Sequence, residues 1–454
     1  MAALRGTPGL ILGCVALAAL SLLLPSTPTY DPWAWLIWGR EVIHLDLDTQ
    51  FGPSWKPLAV MFTVPFALFG DAQPELWLVV ARAGGLLALA MAYRLASRLA
   101  GRPYGWLAGL AAVALLTLTA GWVRNSGLGN SEGLLVALLL WAVNEHLDGR
   151  HDRALYLGFA AALLRPEAWP FFGLYWLWLL RAEPALRVRS SVLLGLIPVL
   201  WFGPELIGSG DALRASSRAQ EPTSSSAAFA DQPWLEVMRS AHRLVPPAIE
   251  ALTAVAVGFA AFPRPRERVV LGVALAALAW LGLVALMTQG GYSGNPRYIV
   301  PVGAVACVLA GVGLARIIGE VRTRAGEQMA AAAGATLCAV VIVIAVPDAR
   351  EVGDDLRAMR NEARLYDDLP EAIEAAGGRE ALLRCGAPLT GPYQVQALAW
   401  FLDLHGRQVG FEYDGGRAVI LAPRNSNEWR GRPAGLGPAG SKHWQVARRC
   451  RAPA

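Results

Sequence analysis

Long apolar runs separated by short polar connections dominate the chain as far as residue 347. A helix needs about 20 predominantly apolar residues to cross a bilayer, and these runs contain few charges. The pattern therefore predicts a mainly α-helical, polytopic transmembrane bundle with about ten or eleven spans. The runs interpreted as spans are Gly9–Pro25, Leu76–Leu95, Tyr104–Trp122, Ser131–His146, Ala154–Leu164, Ala168–Leu180, Val192–Ile207, Pro246–Phe262, Val269–Met287, Tyr298–Ile317 and Met329–Val346.

Several segments depart from a simple succession of spans. Gly9–Pro25 lacks a small-x-small cleavage site, so we expect an uncleaved first span. The tryptophan-rich stretch Trp33–Val42 predicts an amphipathic helix in the membrane interface, and Leu58–Phe69 is short enough for a re-entrant or interfacial segment. Leu155–Leu180 is either one kinked helix or two short helices that meet at Pro166.

From Asp348 onward the chain becomes polar, and its pattern changes to short alternating helices and strands. We therefore divide the chain into a transmembrane domain, residues 1–347, and a small soluble α/β domain, residues 348–454. The predicted helices of the second domain are Arg360–Ala376 and Tyr393–His405. Its predicted strands are Leu382–Cys385, Gln408–Tyr413, Ala418–Ala422 and Trp444–Arg449.

The composition is typical of a membrane protein, and the distribution of charge argues against nucleic acid as a partner. Of the 454 residues, 55% are hydrophobic and only 17% are charged, whereas a typical soluble protein has about 25% charged residues. The net charge of +5 comes from arginine, because Lys56 and Lys442 are the only lysines. These arginines lie in short connections and form no single basic face, so we expect a lipid bilayer and no nucleic acid as partner.

The positions of the arginines predict an orientation. They fall at alternate ends of the spans if Leu155–Leu180 is two helices, and by the positive-inside rule they face the cytoplasm with the N-terminus. The C-terminal domain then lies outside a plasma membrane, which the arginine-, alanine- and glycine-rich composition suggests is bacterial. These arginines are Arg94, Arg98, Arg102, Arg150, Arg153, Arg181, Arg187, Arg189, Arg264, Arg266, Arg268, Arg316, Arg322 and Arg324.

Carboxylates on the predicted outer side are the first candidates for chemistry. Asp31 follows the first span, where it is either a functional acid or a solvated loop carboxylate or helix cap ahead of Pro32. Glu132 opens a span, and the dipole of that helix would favour an acid there without any function. Arg165 and Glu167 interrupt an apolar stretch, where ionisable residues are usually functional but can also satisfy a helix break.

A metal site and a phosphate site are the other candidates. Asp46 and Asp48 have an Asp-x-Asp spacing that suits a divalent cation such as Mg²⁺ or Mn²⁺, although a solvated loop gives the same pattern. Arg297 and Lys56 are basic residues on the predicted outer side, against the positive-inside bias. Contact with a phosphate would explain them, and the alternative for Lys56 is snorkelling at the interface.

Cys385 and Cys450 are the only cysteines beyond the last predicted span. Because the predicted orientation puts their domain outside the cytoplasm, where disulfides persist, we expect the two residues to be bonded. The alternative is two unrelated thiols.

Several of these residues together resemble the GT-C superfamily of polytopic glycosyltransferases, especially the family 39 type of protein mannosyltransferases and aminoarabinose transferases. The resemblance spans most of residues 9–318, and the second acid that usually adjoins the first is missing because Pro32 follows Asp31. The matching segments, in chain order, are Tyr30-Asp31, Lys56-Pro57-Leu58, Leu68-Phe69-Gly70-Asp71, Ala81-Arg82-Ala83-Gly84, Asn130-Ser131-Glu132, Leu164-Arg165-Pro166-Glu167 and Arg297-Tyr298-Ile299-Val300-Pro301.

The resemblance implies an inverting transfer of a sugar from a polyprenyl-phosphate-linked donor to a glycan, lipid or protein acceptor on the outer face. Asp31 would be the base, and Glu132 would orient the acceptor or help to hold a metal. The substrate-binding residues would be Lys56, Arg165, Glu167, Arg297 and Tyr298. A transporter or lipid flippase, or an inactive relative that binds envelope glycan, would explain the same membrane pattern.

Overall fold

Helices account for most of the chain, as its apolar pattern predicts. The computed structural model describes residues 7–222, 226–262, 267–344, 346–424, 429 and 431–450. The helices are α1 (Thr7–Leu20), α2 (Tyr30–Ile43), α3 (Pro57–Phe66), α4 (Gln73–Ala100), α5 (Gly105–Leu118), α6 (Trp122–Gly127), α7 (Glu132–Leu147), α8 (His151–Ala162), α9 (Trp169–Ala182), α10 (Arg187–Ser209), α11 (Arg214–Ala219), α12 (Pro233–Leu244), α13 (Pro247–Ala261), α14 (Arg268–Gln289), α15 (Val300–Ile344), α16 (Val346–Asp367), α17 (Leu369–Ala375), α18 (Gly378–Cys385) and α19 (Val395–Phe401). The strands are β1 (Ala387–Leu389), β2 (Ala418–Pro423) and β3 (Trp444–Arg449). A mainly helical membrane protein with a small C-terminal α/β region is thus confirmed.

Fewer helices reach membrane-spanning length than the apolar runs predict. Within the described ranges, four helical segments are long and apolar enough to cross a membrane, or five if the bent pair α12–α13 is one span. Others, including α1 and α5, are apolar but shorter. The predicted number of about ten or eleven is not reached, because several apolar runs form helices that are shorter than a full span. The four segments are Pro57–Ala100, Pro184–Ser209, Arg268–Gln289 and Pro296–Val340.

Helix α4 lies at the centre of the bundle, where it packs against α1, α5, α7 and α15. Glycines allow its backbone to approach α7 closely: a Cβ added at Gly84 would lie 2.7 Å from the Cα of Leu134. One added at Gly133 would lie 2.8 Å from the Cα of Gly85. Small residues at such crossings are typical of helix packing in membranes.

The alternatives left open by the sequence have clear outcomes. Leu155–Leu180 forms two helices, α8 and α9, separated by a short 3₁₀ turn at Pro166–Ala168. The predicted spans Tyr298–Ile317 and Met329–Val346 lie on either side of a kink in α15 at Gly326, where the backbone is not helical and φ is 85°.

Helix α2 contains the predicted amphipathic stretch, but its tryptophans do not face the membrane interface. Trp33, Trp35 and Trp38 are all buried within the protein. The ring of Trp33 lies 5.2 Å from that of Trp400 and 5.7 Å from that of Phe401, centroid to centroid, in the C-terminal region. Trp35 packs against Trp77 and Trp38 against Trp55. The interfacial placement was wrong because protein, including the C-terminal region at Trp33, covers the side chains expected to contact lipid.

The C-terminal region has a three-stranded sheet in which β1 pairs parallel with β2, and β2 pairs antiparallel with β3. Two predicted strands are wrong. Leu382–Cys385 forms the last turn of α18, and β1 begins only after Gly386, where the backbone lies against β2. Gln408–Tyr413 contributes a single bridge, from Gly410 to Leu389, and no strand.

The sulfur atoms of Cys385 and Cys450 are bonded, as predicted, at 2.07 Å. The domain boundary near residue 348 stays a prediction, since α16 runs through that position.

The arginine-rich connections meet at one end of the bundle. Arg98 contacts Asp148, and Arg316 lies 2.7 Å from the carboxylate of Glu267 and donates to the Leu99 carbonyl at 3.2 Å. Arg264 and Arg266 lie outside the described residues. Trp77 and Arg98 are near opposite ends of α4, about 30 Å apart at 1.5 Å per residue, so the bundle has two distinct ends.

Candidate active site

The predicted site residues converge at the end of the bundle near Trp77. Each lies where a helix begins or is interrupted: Asp31 in the first turn of α2, Lys56 immediately before α3, Glu132 at the start of α7, Arg165 between α8 and α9, and Arg297 in the turn before α15. Distant apolar runs thus bring their polar ends to one place, because the helices pack side by side.

Arg297 and Asp31 form the central contact of this cluster. A terminal nitrogen of Arg297 lies 3.2 Å from the carboxylate of Asp31, and the other donates to the side-chain oxygen of Asn130 at 2.8 Å. The Asn295 side chain accepts a hydrogen bond from the Arg297 backbone N–H at 3.0 Å, which fixes the turn. Asp31 and Arg297 are only half-buried, so both remain reachable by a ligand.

The loop before α7 is held in place by contacts to two other segments. Gly129 adopts a positive φ of 81°, which favours glycine. Its carbonyl accepts from the indole nitrogen of Trp77 at 2.8 Å, and the Thr29 N–H donates to the Leu128 carbonyl at 3.0 Å. Asn130 and Ser131 therefore face Arg297 and Lys56.

Lys56 is a buried cation with neutral partners. Its ammonium donates to the Ser131 hydroxyl at 3.1 Å and lies 4.7 Å from the ring centre of Trp35. Among the described residues no carboxylate forms a salt bridge with it. Only 7% of the residue is exposed, which excludes snorkelling. Burial, with Arg165 nearby, lowers the pKa of Lys56 to about 8.

Arg165 occupies the deepest part of the cluster. Its guanidinium contacts the carboxylate of Glu132, lies 3.9 Å from Glu167, and stacks 4.5 Å from the ring centre of Tyr298. Within the described chain, one oxygen of each glutamate and the Nε of Arg165 are buried without a hydrogen-bond partner. Buried polar groups are rarely left unpaired, so this arrangement could bind further polar atoms.

The Asp-x-Asp pair lies elsewhere and contacts basic side chains. Asp46 lies 3.2 Å from His405, and Asp48 contacts Arg407 in the C-terminal region. The described residues contain no group of three or more His, Cys, Asp and Glu side chains arranged to hold a metal. A divalent cation therefore stays a prediction, without a ligand set at this pair.

Two polar contacts of the site were missed at the level of sequence. Asn130 and Ser131 were noted only as neighbours of Glu132, yet they contact Arg297 and Lys56. Their position just before a helix that begins with an acid was an available signal, since side chains there point along the helix axis toward the same end.

Solved structures of two kinds of transferase have a similar fold. ArnT from Cupriavidus metallidurans in the apo state aligns with a TM-score of 0.56 at 16% identity, covering 96% of each chain. The same protein bound to undecaprenyl phosphate gives 0.52 at 14% identity, covering 96% of this chain and 97% of that one. The Archaeoglobus fulgidus oligosaccharyltransferase tethered with an acceptor peptide gives 0.50 at 13% identity, covering 91% of this chain and 69% of that one.

No protein-family model and no curated protein matches the chain. At identities this low, the structural similarity shows a common fold and nothing further. The chain therefore shares the fold of these transferases, in agreement with the predicted resemblance to GT-C proteins.

Proposed function

We propose that this protein is an inverting glycosyltransferase that uses a polyprenyl-phosphate-linked sugar. The contact between Asp31 and Arg297 carries the proposal, because it brings a candidate base within 3.2 Å of a candidate phosphate ligand. The GT-C fold supports this interpretation, as two proteins with that fold were solved with undecaprenyl phosphate and with an acceptor peptide.

In the proposed reaction the acceptor hydroxyl attacks the anomeric carbon of the donor sugar. Asp31 takes the hydroxyl proton as the new glycosidic bond forms. The bond from the anomeric carbon to the phosphate oxygen breaks, and polyprenyl phosphate leaves with the bonding electrons and its developing charge. Inversion follows from a single displacement at that carbon.

The leaving phosphate needs cations, and the cluster offers three. Arg165 and Arg297 already contact carboxylates, whereas Lys56 has only a hydroxyl and an aromatic ring as partners. Lys56 is therefore the cation most available to a phosphate, and Arg297 would provide a second, directional contact. Glu132 would hold Arg165 in place and orient the acceptor.

The proposal places this site, and the C-terminal region, on the outer face of a bacterial plasma membrane. The positive-inside distribution supports that orientation, since the arginine-rich connections meet at the opposite end of the bundle. The polyprenyl chain would lie in the bilayer, with a glycan, lipid or protein acceptor reaching the site from outside.

The test is turnover by the purified full-length protein in lipid nanodiscs. A panel of polyprenyl-phosphate-linked sugars is supplied with an envelope extract as acceptor source, and free polyprenyl phosphate is measured. Release of the free lipid phosphate with sugar transferred to an acceptor is expected. A transporter or flippase would instead move the intact donor across liposomes, and movement without cleavage would contradict the proposal.

A further inference from the structure

A buried ion pair outside the candidate site joins α10 to the short helix α11. The Nε of Arg214 lies 2.8 Å from one carboxylate oxygen of Glu205, and its Nη2 lies 3.1 Å from the other. Glu205 is a charged residue in an apolar helix, and it is nevertheless fully buried, at 0% exposure. Because a buried ion pair is weak evidence for stability, its place in the fold needs another explanation.

The pair contacts the backbone of the segment that ends at Lys56. Glu205 accepts from the Trp55 backbone N–H at 3.3 Å, and Arg214 donates to the Pro53 carbonyl at 2.9 Å. Ser54 adds a hydrogen bond from its hydroxyl to the backbone carbonyl next to Arg214, at 3.0 Å. Three successive residues before Lys56 are thus held by α10 and α11, so the backbone that carries Lys56 has little freedom to shift.

The part of the chain that begins with α11 also contacts the loop that carries Arg297. The hydroxyls of Ser216 and Tyr292 hydrogen-bond at 2.8 Å, and the Ser226 hydroxyl donates to the Ser293 carbonyl. Both loops that bear a candidate phosphate-binding cation are therefore attached to residues 214–216 or to Ser226. A change at α11 would alter the separation of the two cations.

From these contacts we propose that Glu205 and Arg214 are positioning residues that set the location of Lys56 relative to Arg297, and so the fit of the donor phosphate. Glu205 receives hydrogen bonds from Trp55 and from two nitrogens of Arg214 and is closed to solvent, so it acts through Lys56 and not on the substrate itself. The phosphate contact rests on the proposed function, whereas the hold on Lys56 does not.

The hold on Lys56 can be measured without any turnover, because the chain has only two lysines. Full-length protein in nanodiscs is treated with an amine-acetylating reagent, and modification of Lys56 is followed by mass spectrometry with the exposed Lys442 as internal reference. In Glu205→Gln and Arg214→Gln, Lys56 should be acetylated at least about tenfold faster than in wild type, since the segment that carries Lys56 opens more often. Arg214→Lys keeps the charge but loses the planar, two-pronged guanidinium. Its acetylation rate at Lys56 should therefore lie between that of wild type and those of the two glutamine variants.

Glu145→Gln is the matched control, since Glu145 is also a buried, arginine-paired glutamate, 2% exposed, but lies at the opposite end of the bundle. It should leave the Lys56 rate unchanged. Equal rates of Lys56 acetylation in wild type, Glu205→Gln and Arg214→Lys would overturn the proposal. If Glu205→Gln fails to fold, the comparison of Arg214→Lys with wild type decides the question alone.

The second measurement is the steady-state kinetics of donor use. Misplacing a binding group by about an ångström can cost up to about 100-fold, so Glu205→Gln and Arg214→Lys should raise the donor KM much more than they lower kcat. If the wild-type protein consumes no polyprenyl-phosphosugar, the proposed function is refuted. The acetylation result would still test the hold on Lys56. Normal donor KM in variants whose Lys56 is more reactive would refute the link to phosphate.

Discussion

Arg297 divides its two terminal nitrogens between Asp31 and Asn130, and this division determines what its substitution should do. Arg297→Lys keeps the charge but has a single nitrogen, so it cannot satisfy both partners and a phosphate. We expect donor use, measured as kcat/KM, to fall by about tenfold or more, as loss of a charge-assisted hydrogen bond costs roughly 1.5–3 kcal/mol.

The control for this change is Arg316→Lys, because Arg316 pairs with Glu267 at the other end of the bundle. It should retain wild-type donor use. An Arg297→Ala variant whose donor dependence equals that of wild type would show that this residue does not contact the donor.

The sequence identified the charged members of the site and missed their neutral partners. Lys56 and Arg297 stand out because they oppose the positive-inside bias, and Asp31 because it follows the first span on the predicted outer side. Asn130 and Ser131 carry no charge, so only three-dimensional contacts with Arg297 and Lys56 distinguish them. Glu205 appeared within a predicted span, and its role depends on a loop about 150 residues away in sequence.

At the scale of elements, the disulfide joins the end of α18 to the residue after β3, at a sequence separation of 65. Removing it with a Cys385→Ser, Cys450→Ser double substitution should destabilise the C-terminal region by roughly 2–4 kcal/mol, since a crosslink restricts the unfolded chain. Limited proteolysis with and without denaturant would measure this loss. Cys338→Ser, at a free cysteine, is the control and should be neutral. Equal protease resistance in all three proteins would contradict the expectation.

A second element-scale prediction concerns the contact between α2 and the C-terminal region. Glu41 is buried and lies 2.7 Å from the Nδ1 of His405, and burial raises its pKa to about 7. The folded protein therefore keeps a proton on Glu41 that the unfolded chain has lost above its ordinary pKa of 4.5. Stability should accordingly fall as pH rises from about 4.5 to about 7.

Glu41→Gln removes this titration, so its melting temperature should vary less over that pH range than that of wild type. Thermal unfolding in detergent at a series of pH values measures the slope. Glu380→Gln, at an exposed side chain of α18, should keep the wild-type slope. The same slope in Glu41→Gln as in wild type would contradict the expected proton uptake.

Helices were predicted better than strands for a physical reason. Long apolar runs specify helices locally, because backbone groups in a membrane must pair within their own segment. The strands of the C-terminal region are three to six residues long, and their pairing joins distant residues such as Leu389 and Ile420. Leu382–Cys385 has the composition of a strand but forms helix, because the preceding residues from Gly378 already form the helix that it ends.

For the whole molecule, the order of polar motifs along the chain was sufficient to predict the GT-C fold. The docking of the C-terminal region on α2 was not, since it depends on contacts such as that from Arg40 to the Leu404 carbonyl, 2.9 Å across 364 residues of sequence. That docking covers Trp33 of α2, which was expected at the membrane surface. A local pattern shows that a helix is amphipathic, but it does not show whether lipid or protein covers the apolar face.

The central claim is that Asp31 is the base of a glycosyl transfer, and the most direct test is the turnover rate of Asp31→Asn with a polyprenyl-phosphate-linked sugar. Asparagine keeps an oxygen that can accept from Arg297 but cannot take a proton, so the variant should insert normally and lose about 100-fold or more in rate. Asp148→Asn, at the opposite end of the bundle, should retain the wild-type rate. An Asp31→Asn enzyme that keeps more than about a tenth of that rate would show that the base lies elsewhere.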